Sequence, residues 1–166
     1  MMDEEANTQI TFAVKSASIA EKKTIFVLLQ PYLAEVSYFP GENVDCKDGN
    51  GIFNYPYLDA YWEDQERYPY LLMSAGNVAG FAFTRREGDH WQMAEFYVLP
   101  GFRRCGLASA CVGEILRRHP GEWRIDFNKH NQAGRALWQK VAYRFSSGDV
   151  LSGELNGIHN YVRFRC

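Results

Sequence analysis

No apolar run in this sequence approaches the ~20 residues that an α-helix needs to cross a bilayer, so a membrane-spanning chain is not expected. An excess of one charge is missing too. The 18 Lys and Arg against 20 Asp and Glu leave a formal charge of -2, with no global attraction to nucleic acid or an anionic membrane. Cysteine is sparse. Cys46, Cys105, Cys111 and Cys166 form no C-x-x-C pair, and His90, His119, His130 and His159 show no paired spacing, so no metal site is expected. The pattern G-x-x-x-x-G-K-[ST] is absent, which removes a P-loop, and the lack of G-x-G-x-x-G argues against a Rossmann dinucleotide site. No internal repeat, low-complexity tract or linker is visible. The opening MMDEEANTQ is acidic and polar, the opposite of a signal peptide's basic and then apolar start. A soluble, cytoplasmic protein with reduced thiols is the expectation.

What the chain does have is material for a core. Apolar residues are 46% and aromatics 15% of 166 residues, enough for one packed domain over 1–166 without disulfide or metal staples. The stretch that organises it runs from Glu95 to His119. An apolar strand (Phe96, Tyr97, Val98, Leu99) breaks at Pro100-Gly101, passes through Arg103-Arg104-Cys105-Gly106-Leu107-Ala108 and becomes a helix. The spacing Leu107, Cys111, Val112, Ile115, Leu116 is one apolar stripe at helical period. The first-turn N–H groups of such a helix have no intrahelical partner and the helix dipole is positive there. A glycine at Gly106 lets a ligand approach the backbone, and Arg103 and Arg104 add charge. A phosphate or pyrophosphate suits that turn; the alternative is an ordinary strand-to-helix connection with two solvated arginines.

Around this stretch the pattern predicts a strand at Ile10–Val14 and a helix capped by Ser18 and Glu21, which Pro31 should kink or interrupt. A Gly- and Pro-containing loop covers 38–56, followed by a short helix over Tyr57–Arg67. Three strands then form a meander: Tyr70–Ser74, Val78–Arg85 and Trp91–Leu99, with turn signals at Ala75-Gly76-Asn77 and Glu87-Gly88-Asp89. After the central helix come a strand at Trp123–Phe127 and a helix over Asn131–Val141, with Ala133, Ala136, Leu137 and Val141 as its apolar spacing. Strands at Tyr143–Ser146 and His159–Arg165 close the chain. The crossover between Glu95 and Phe127 implies one parallel pair in a mostly antiparallel sheet, an α/β (α+β) arrangement.

Three features now join. Arg103-x-x-Gly106-x-Ala108 follows a strand and opens a helix. Asn131 is followed seven residues later by Trp138 and five more by Tyr143, and the element order before and between these segments fits. In all three the chain resembles the GNAT superfamily of acetyl-coenzyme A-dependent N-acetyltransferases, whose pyrophosphate turn reads Q/R-x-x-G-x-G/A. The resemblance implies a single-domain GNAT-like fold with a central mostly antiparallel sheet, a splayed parallel pair at Glu95–Leu99 and Trp123–Phe127, and flanking helices. It implies acetyl-CoA as co-substrate, with its pantetheine arm pairing with the backbone at Tyr97, Val98 and Leu99. The diphosphate would sit on the turn made by Arg103, Arg104, Cys105, Gly106, Leu107, Ala108 and Ser109. Asn131 and Trp138 would contact the cofactor from the next helix.

Transfer of the acetyl group needs a neutral amine, a stabilised oxyanion and a proton for the leaving thiolate. Glu95 is the expected base, because it is the carboxylate on the strand entering the turn and partial burial raises its pKa. Its alternative is an ion pair or a strand-edge role. The backbone N–H near Val98 or Leu99 is the expected oxyanion donor. Where many relatives carry an acidic tyrosine this chain has Trp138, leaving Tyr143 (which the resemblance also places as a packing aromatic of the core), Tyr97, water, the substrate ammonium or no dedicated acid. From Glu35 to Glu66 lie eight acidic residues and one basic one, interleaved with Tyr55, Tyr57, Tyr61 and Trp62. Tyr57, Asp59, Tyr61 and Trp62 are the candidate acceptor wall, suited to a cationic amine by field and cation–π contact, or else a solvated acidic face. The reading is therefore an N-acetyltransferase for a small, cationic amine such as an aminoglycoside or polyamine. The alternatives are a protein or peptide amine, or a non-catalytic acyl-CoA-binding module. A nucleic-acid acceptor is disfavoured by net charge, and a homodimer stays open.

Overall fold

A computed structural model of the chain describes residues 10–44 and 48–166. Strand β1 (Phe12–Ser16) leads through a 3-10 turn into helix α1 (Lys22–Val36), and a long loop ends in the single-turn helix α2 (Ala60–Glu63). The meander follows as β2 (Arg67–Ser74), β3 (Asn77–Glu87) and β4 (His90–Val98). Helix α3 (Leu107–Arg118), strand β5 (Glu122–Asn128), helix α4 (Gln132–Phe145), β6 (Leu151–Glu154) and β7 (His159–Arg165) complete it.

Among the described residues the strands form one sheet in the order β1-β2-β3-β4-β5-β7-β6, with every neighbouring pair antiparallel except β4 and β5. That parallel pair is joined only at Trp91↔Trp123 and Gln92↔Arg124. Past those two pairs the strands splay, and a V-shaped gap opens between the ends of β4 and β5. The mixed sheet and its splayed pair are as expected.

Helices cover both faces. On one side α3 buries the whole of its expected stripe against Trp123, Ile125 and Phe164, with α4 beside it. On the other, Ile25, Leu28, Leu29 and Leu33 of α1 pack with Phe81, Phe83 and Tyr97. Each such side chain stabilises the fold by about 1.5–3 kcal/mol relative to exposure. The β2–β3 hairpin closes on Ala75 and Gly76, both left-handed (φ 48° and 80°), which matches the twist of the strands it joins.

Four local expectations need correction. Pro31 does not break α1, which runs unbroken to Val36; the carbonyl that loses its partner belongs to Val27, an exposed residue where water can replace it. The helix expected over Tyr57–Arg67 shrinks to Ala60–Glu63, because Arg67 already pairs with Arg85 in the sheet. Residues 143–146 are not a strand: α4 continues to Phe145, and the missed strand is β6. The buried face of α4 consists of Trp138, Val141 and Ala142, while Ala133 and Ala136 are exposed.

One irregularity positions the site. Phe83 pairs with Glu95 and Thr84 with Met93, so Ala94 is an extra residue, a β-bulge in β4. Met93 packs on the α3 side and Ala94 on the α1 side. Strict alternation would return Glu95 to the α3 side. The bulge instead keeps it on the α1 side, where its carboxylate meets Tyr32 and Tyr55.

Candidate active site

The gap between β4 and β5 continues into a cleft of about 800 Å³, bounded by α1, the loop that follows it, α4 and the start of β7. Glu95 sits half-buried in its wall. The Tyr32 hydroxyl donates to Glu95 Oε2, and the Tyr55 hydroxyl donates to Oε1 at 3.1 Å. Burial pushes the Glu95 carboxyl up to about 7, against the opposing pull of those two hydroxyls and of the Arg85 charge. Both tyrosines are driven in the same direction, to far weaker acids, by burial and by the nearby carboxylate. Between them they hold a carboxylate poised to exchange a proton near neutrality.

The backbone of β4 divides its hydrogen-bonding groups by parity. Leu99 N–H donates to Ala79 O at 2.8 Å, so Gly80↔Val98 is a pair without mutual bonds, and Tyr97 exchanges bonds with Phe81. Phe96 and Val98 therefore turn their N–H groups away from β3, into the gap. Of the two expected oxyanion donors, Val98 faces the gap and Leu99 is committed to the sheet. The Val98 carbonyl already accepts from Arg103 Nε at 2.7 Å, and Arg103 Nη2 holds Glu35 at 3.0 and 3.1 Å.

The turn into α3 has the form of an anion cradle. Arg104 and Gly106 both have positive φ (59° and 86°), which rotates successive amides toward one side. The first helical bond is Ala110 N–H to Gly106 O, and among the described residues no backbone acceptor takes the amides of 104–109. Gly106 caps α3 without a side chain, and a Cβ built there would meet nothing within 4 Å. Open space therefore lies beside the unpaired amides. Leu107 contributes only its amide, since its side chain is in the core, and Cys105 is exposed with its thiol bonded to Phe102 O. Arg103 and Ala108 line the cleft, Arg104 is exposed at the turn, and Ser109 stands half-buried on the first turn of α3.

From α4, Asn131 and Trp138 face the same cleft. Asn131 Oδ1 accepts from Gly134 N–H at 2.9 Å and caps the helix, leaving its Nδ2 as the group available to a ligand. Trp138 is buried edge-on against Phe96, with ring centroids 5.3 Å apart.

Other expected site residues lie elsewhere. Tyr143 is 74% exposed on the outer face of α4, away from the cleft, so neither a proton-donor nor a core role fits it. Tyr61 is stacked on Phe83 in the core at 3.8 Å, and Trp62 donates to Ala17 O. Asp59 pairs with Lys22. Of that wall only Tyr57 reaches the cleft. Of the eight acidic residues Glu35 and Glu42 line it; Glu63, Asp64 and Glu66 border a separate surface groove, and Asp45, like Lys47 and Cys46, lies outside the described residues. The sequence reading missed Tyr32, Arg85, Gln92, Asp126 and His159, all of which line the cleft. Tyr32 sits one turn before Glu35 on α1, which suggests a place in the same wall but not the partner its hydroxyl meets.

Among the described residues, no helix is long and apolar enough to cross a membrane, and no cluster of His, Cys, Asp and Glu could hold a metal. No curated protein matches the sequence. The model of the acetyltransferase (GNAT) family matches residues 36–143. Among solved structures, the fold is similar to an acetyltransferase from Thermus thermophilus, with TM-score 0.66 and 13% identity over 94% of this chain and 97% of that one. It is similar to the PaiA N-acetyltransferase from Thermoplasma acidophilum in complex with coenzyme A, with TM-score 0.63 and 10% identity over 94% and 99%. The ribosomal-protein-S18-alanine N-acetyltransferase from Escherichia coli has TM-score 0.60 and 12% identity over 92% and 91%. At such identities the structural likeness speaks for the fold alone. The family match covers the splayed strands and the amide-lined turn, and on that ground the chain belongs to the GNAT family, as an acetyl-CoA-dependent N-acetyltransferase.

Proposed function

We propose that the chain acetylates a primary amine of a small molecule, with Glu95 as the base. The observation that carries this reading is the placement of Glu95: the Ala94 bulge turns it into the cleft, and two tyrosine hydroxyls fix its carboxylate there. In its ionised form the carboxylate accepts a proton from the acceptor's ammonium group. The neutral nitrogen then attacks the thioester carbonyl and forms the C–N bond. Negative charge develops on the carbonyl oxygen, where the gap-facing N–H groups of Phe96 and Val98 can stabilise it. Collapse breaks the C–S bond. The nitrogen sheds its second proton and the departing thiolate takes one up, so atoms and charges balance without a side-chain acid.

The turn at 104–108 supports diphosphate binding through its unpaired amides, and Asn131 Nδ2 is placed for the pantetheine arm. Arg103 must give up the Val98 carbonyl if that arm pairs there. A polycation is not what the cleft favours, because Glu35 is already paired with Arg103 and Glu42 with His159. A small acceptor is supported by the loop segment that crosses the open end of the gap and is tied to Asn128 and His159.

Release of free thiol from acetyl-CoA, followed across an amine panel that includes N-terminal peptides, tests the reading. Glu95→Gln is expected to lower kcat by about 100-fold or more, the scale of general-base catalysis, with coenzyme A affinity unchanged. Full activity in Glu95→Gln at every pH would remove Glu95 from the mechanism. A preference for peptides over small amines would redirect the acceptor class.

A further inference from the structure

Beside Glu95 the cleft carries a cation to which the transfer proposed above gives no contact with the reacting atoms. Arg85 stands on β3 two residues from Phe83, the partner of Glu95, and on the same face of the sheet. Two residues along a strand is about 7 Å. Its Nε and Nη2 donate to Gln92 Oε1 at 3.1 and 2.8 Å, and Nη2 also reaches Glu87 Oε2 at 3.0 Å. Gln92 is held in turn, its Nε2 donating to Asp126 Oδ2 at 2.9 Å, and Asp126 is gripped by Arg124. Arg85 Nη1 makes no hydrogen bond among the described residues. The side chain is 29% exposed and is one of those that line the cleft.

The groups around it divide by whether they are spoken for. Glu35 has Arg103, Glu42 has His159 and Asn128, and Asp126 has Arg124 and Gln92. Glu87 answers Arg85 only from the rim, where it is about half exposed and screened by solvent. What remains to meet an acceptor is one carboxylate and one guanidinium N–H₂ without a hydrogen bond among the described residues, on one face of the sheet and in one cleft. A rigid guanidinium of this kind suits a planar carboxylate and repels a second ammonium group.

We infer that the acceptor bears a carboxylate as well as its amine, an amino acid or close analogue, and that Arg85 takes the carboxylate while Glu95 takes the amine. The inference rests on the role of Glu95 given above and names the substrate class for that site. It makes Arg85 a specificity-determining residue. A polyamine would bring a second positive charge against it.

The test uses matched acceptors: amino acids, the same molecules lacking the carboxylate, polyamines, and N-terminal peptides, each assayed by thiol release. The carboxylate-bearing member of each pair is expected to have the higher kcat/KM. Arg85→Gln is expected to erase that preference by about 10- to 100-fold, the scale of a hydrogen bond to a charged group, through KM rather than kcat. Arg85→Lys should recover part of it. A ratio measured within one variant is insensitive to partial loss of folded protein, since both acceptors meet the same sample. Equal or better turnover of decarboxylated amines, polyamines or peptides would overturn the inference, as would an equal fall for both acceptors in Arg85→Gln. Those outcomes leave Glu95 in place. Absence of turnover with any amine would overturn the acetyl-transfer reading and this one with it.

Discussion

The carboxylate of Glu95 is under two opposed influences, and their balance sets where it titrates. Burial favours the neutral form, and the Tyr32 and Tyr55 hydroxyls favour the ion. A base works only when deprotonated, so kcat/KM should rise with pH through about 7 and level off above it. Removing a hydroxyl donor removes support for the ion and raises the pKa further. Tyr32→Phe is therefore expected to move the rising limb upward by about one pH unit, the scale of one hydrogen bond to a charged group. A pH–rate profile on a neutral-tail amine checks this, and a limb that stays put or moves down would contradict it. Tyr32 could not have been picked out in the sequence as a partner of Glu95. It reads there as one more apolar position on an amphipathic helix, and only the tertiary fold brings its hydroxyl across 63 residues.

At the scale of elements, the strand-turn-helix over β4 and α3 was the most legible part of the chain. Its apolar period, its Pro-Gly break and its single Gly106 each state their own conformation. Gly106 has φ 86°, a region that costs an L-residue roughly 1–2 kcal/mol, while the space beside it is open. Gly106→Ala should thus act through backbone strain, not through crowding of the protein's own atoms. Coenzyme A affinity is expected to fall about tenfold or more with the fold retained, as calorimetric titration would show; unaltered affinity would contradict the cradle. What stayed hidden was the bulge. One extra residue leaves the apolar content of β4 unchanged, so nothing in MAEFYV announces that Ala94 is counted twice. The end of α4 was misread for the opposite reason. Tyr143 occupied a position where the family resemblance suggested packing, yet Phe145 carries the apolar face one turn further and leaves Tyr143 in solvent.

At the scale of the whole molecule, the two halves of the sheet share two residue pairs among the described residues. They are joined again at the open end of the V by the last turn of α1 and the segment that follows it. On the β4 side Glu35 holds Arg103; on the β5 side Asn128 Nδ2 donates to Pro40 O and to Glu42 Oε1, and His159 closes on the same carboxylate. Glu42→Ala removes the acceptor of two of these bonds. It is expected to destabilise by about 2 kcal/mol, at roughly 1 kcal/mol per bond, and to speed amide exchange at residues 38–44. Exchange as slow as in the parent chain would show the tie to be idle. This long-range fastening could not be read from composition, because Glu42 looks in the sequence like any other acid of a charged loop. A ring buttoned at both ends resists gaping. With the halves fastened in this way, an acyl chain longer than acetyl is expected to be limited by the side chains already lining the cleft more than by the spread of the strands.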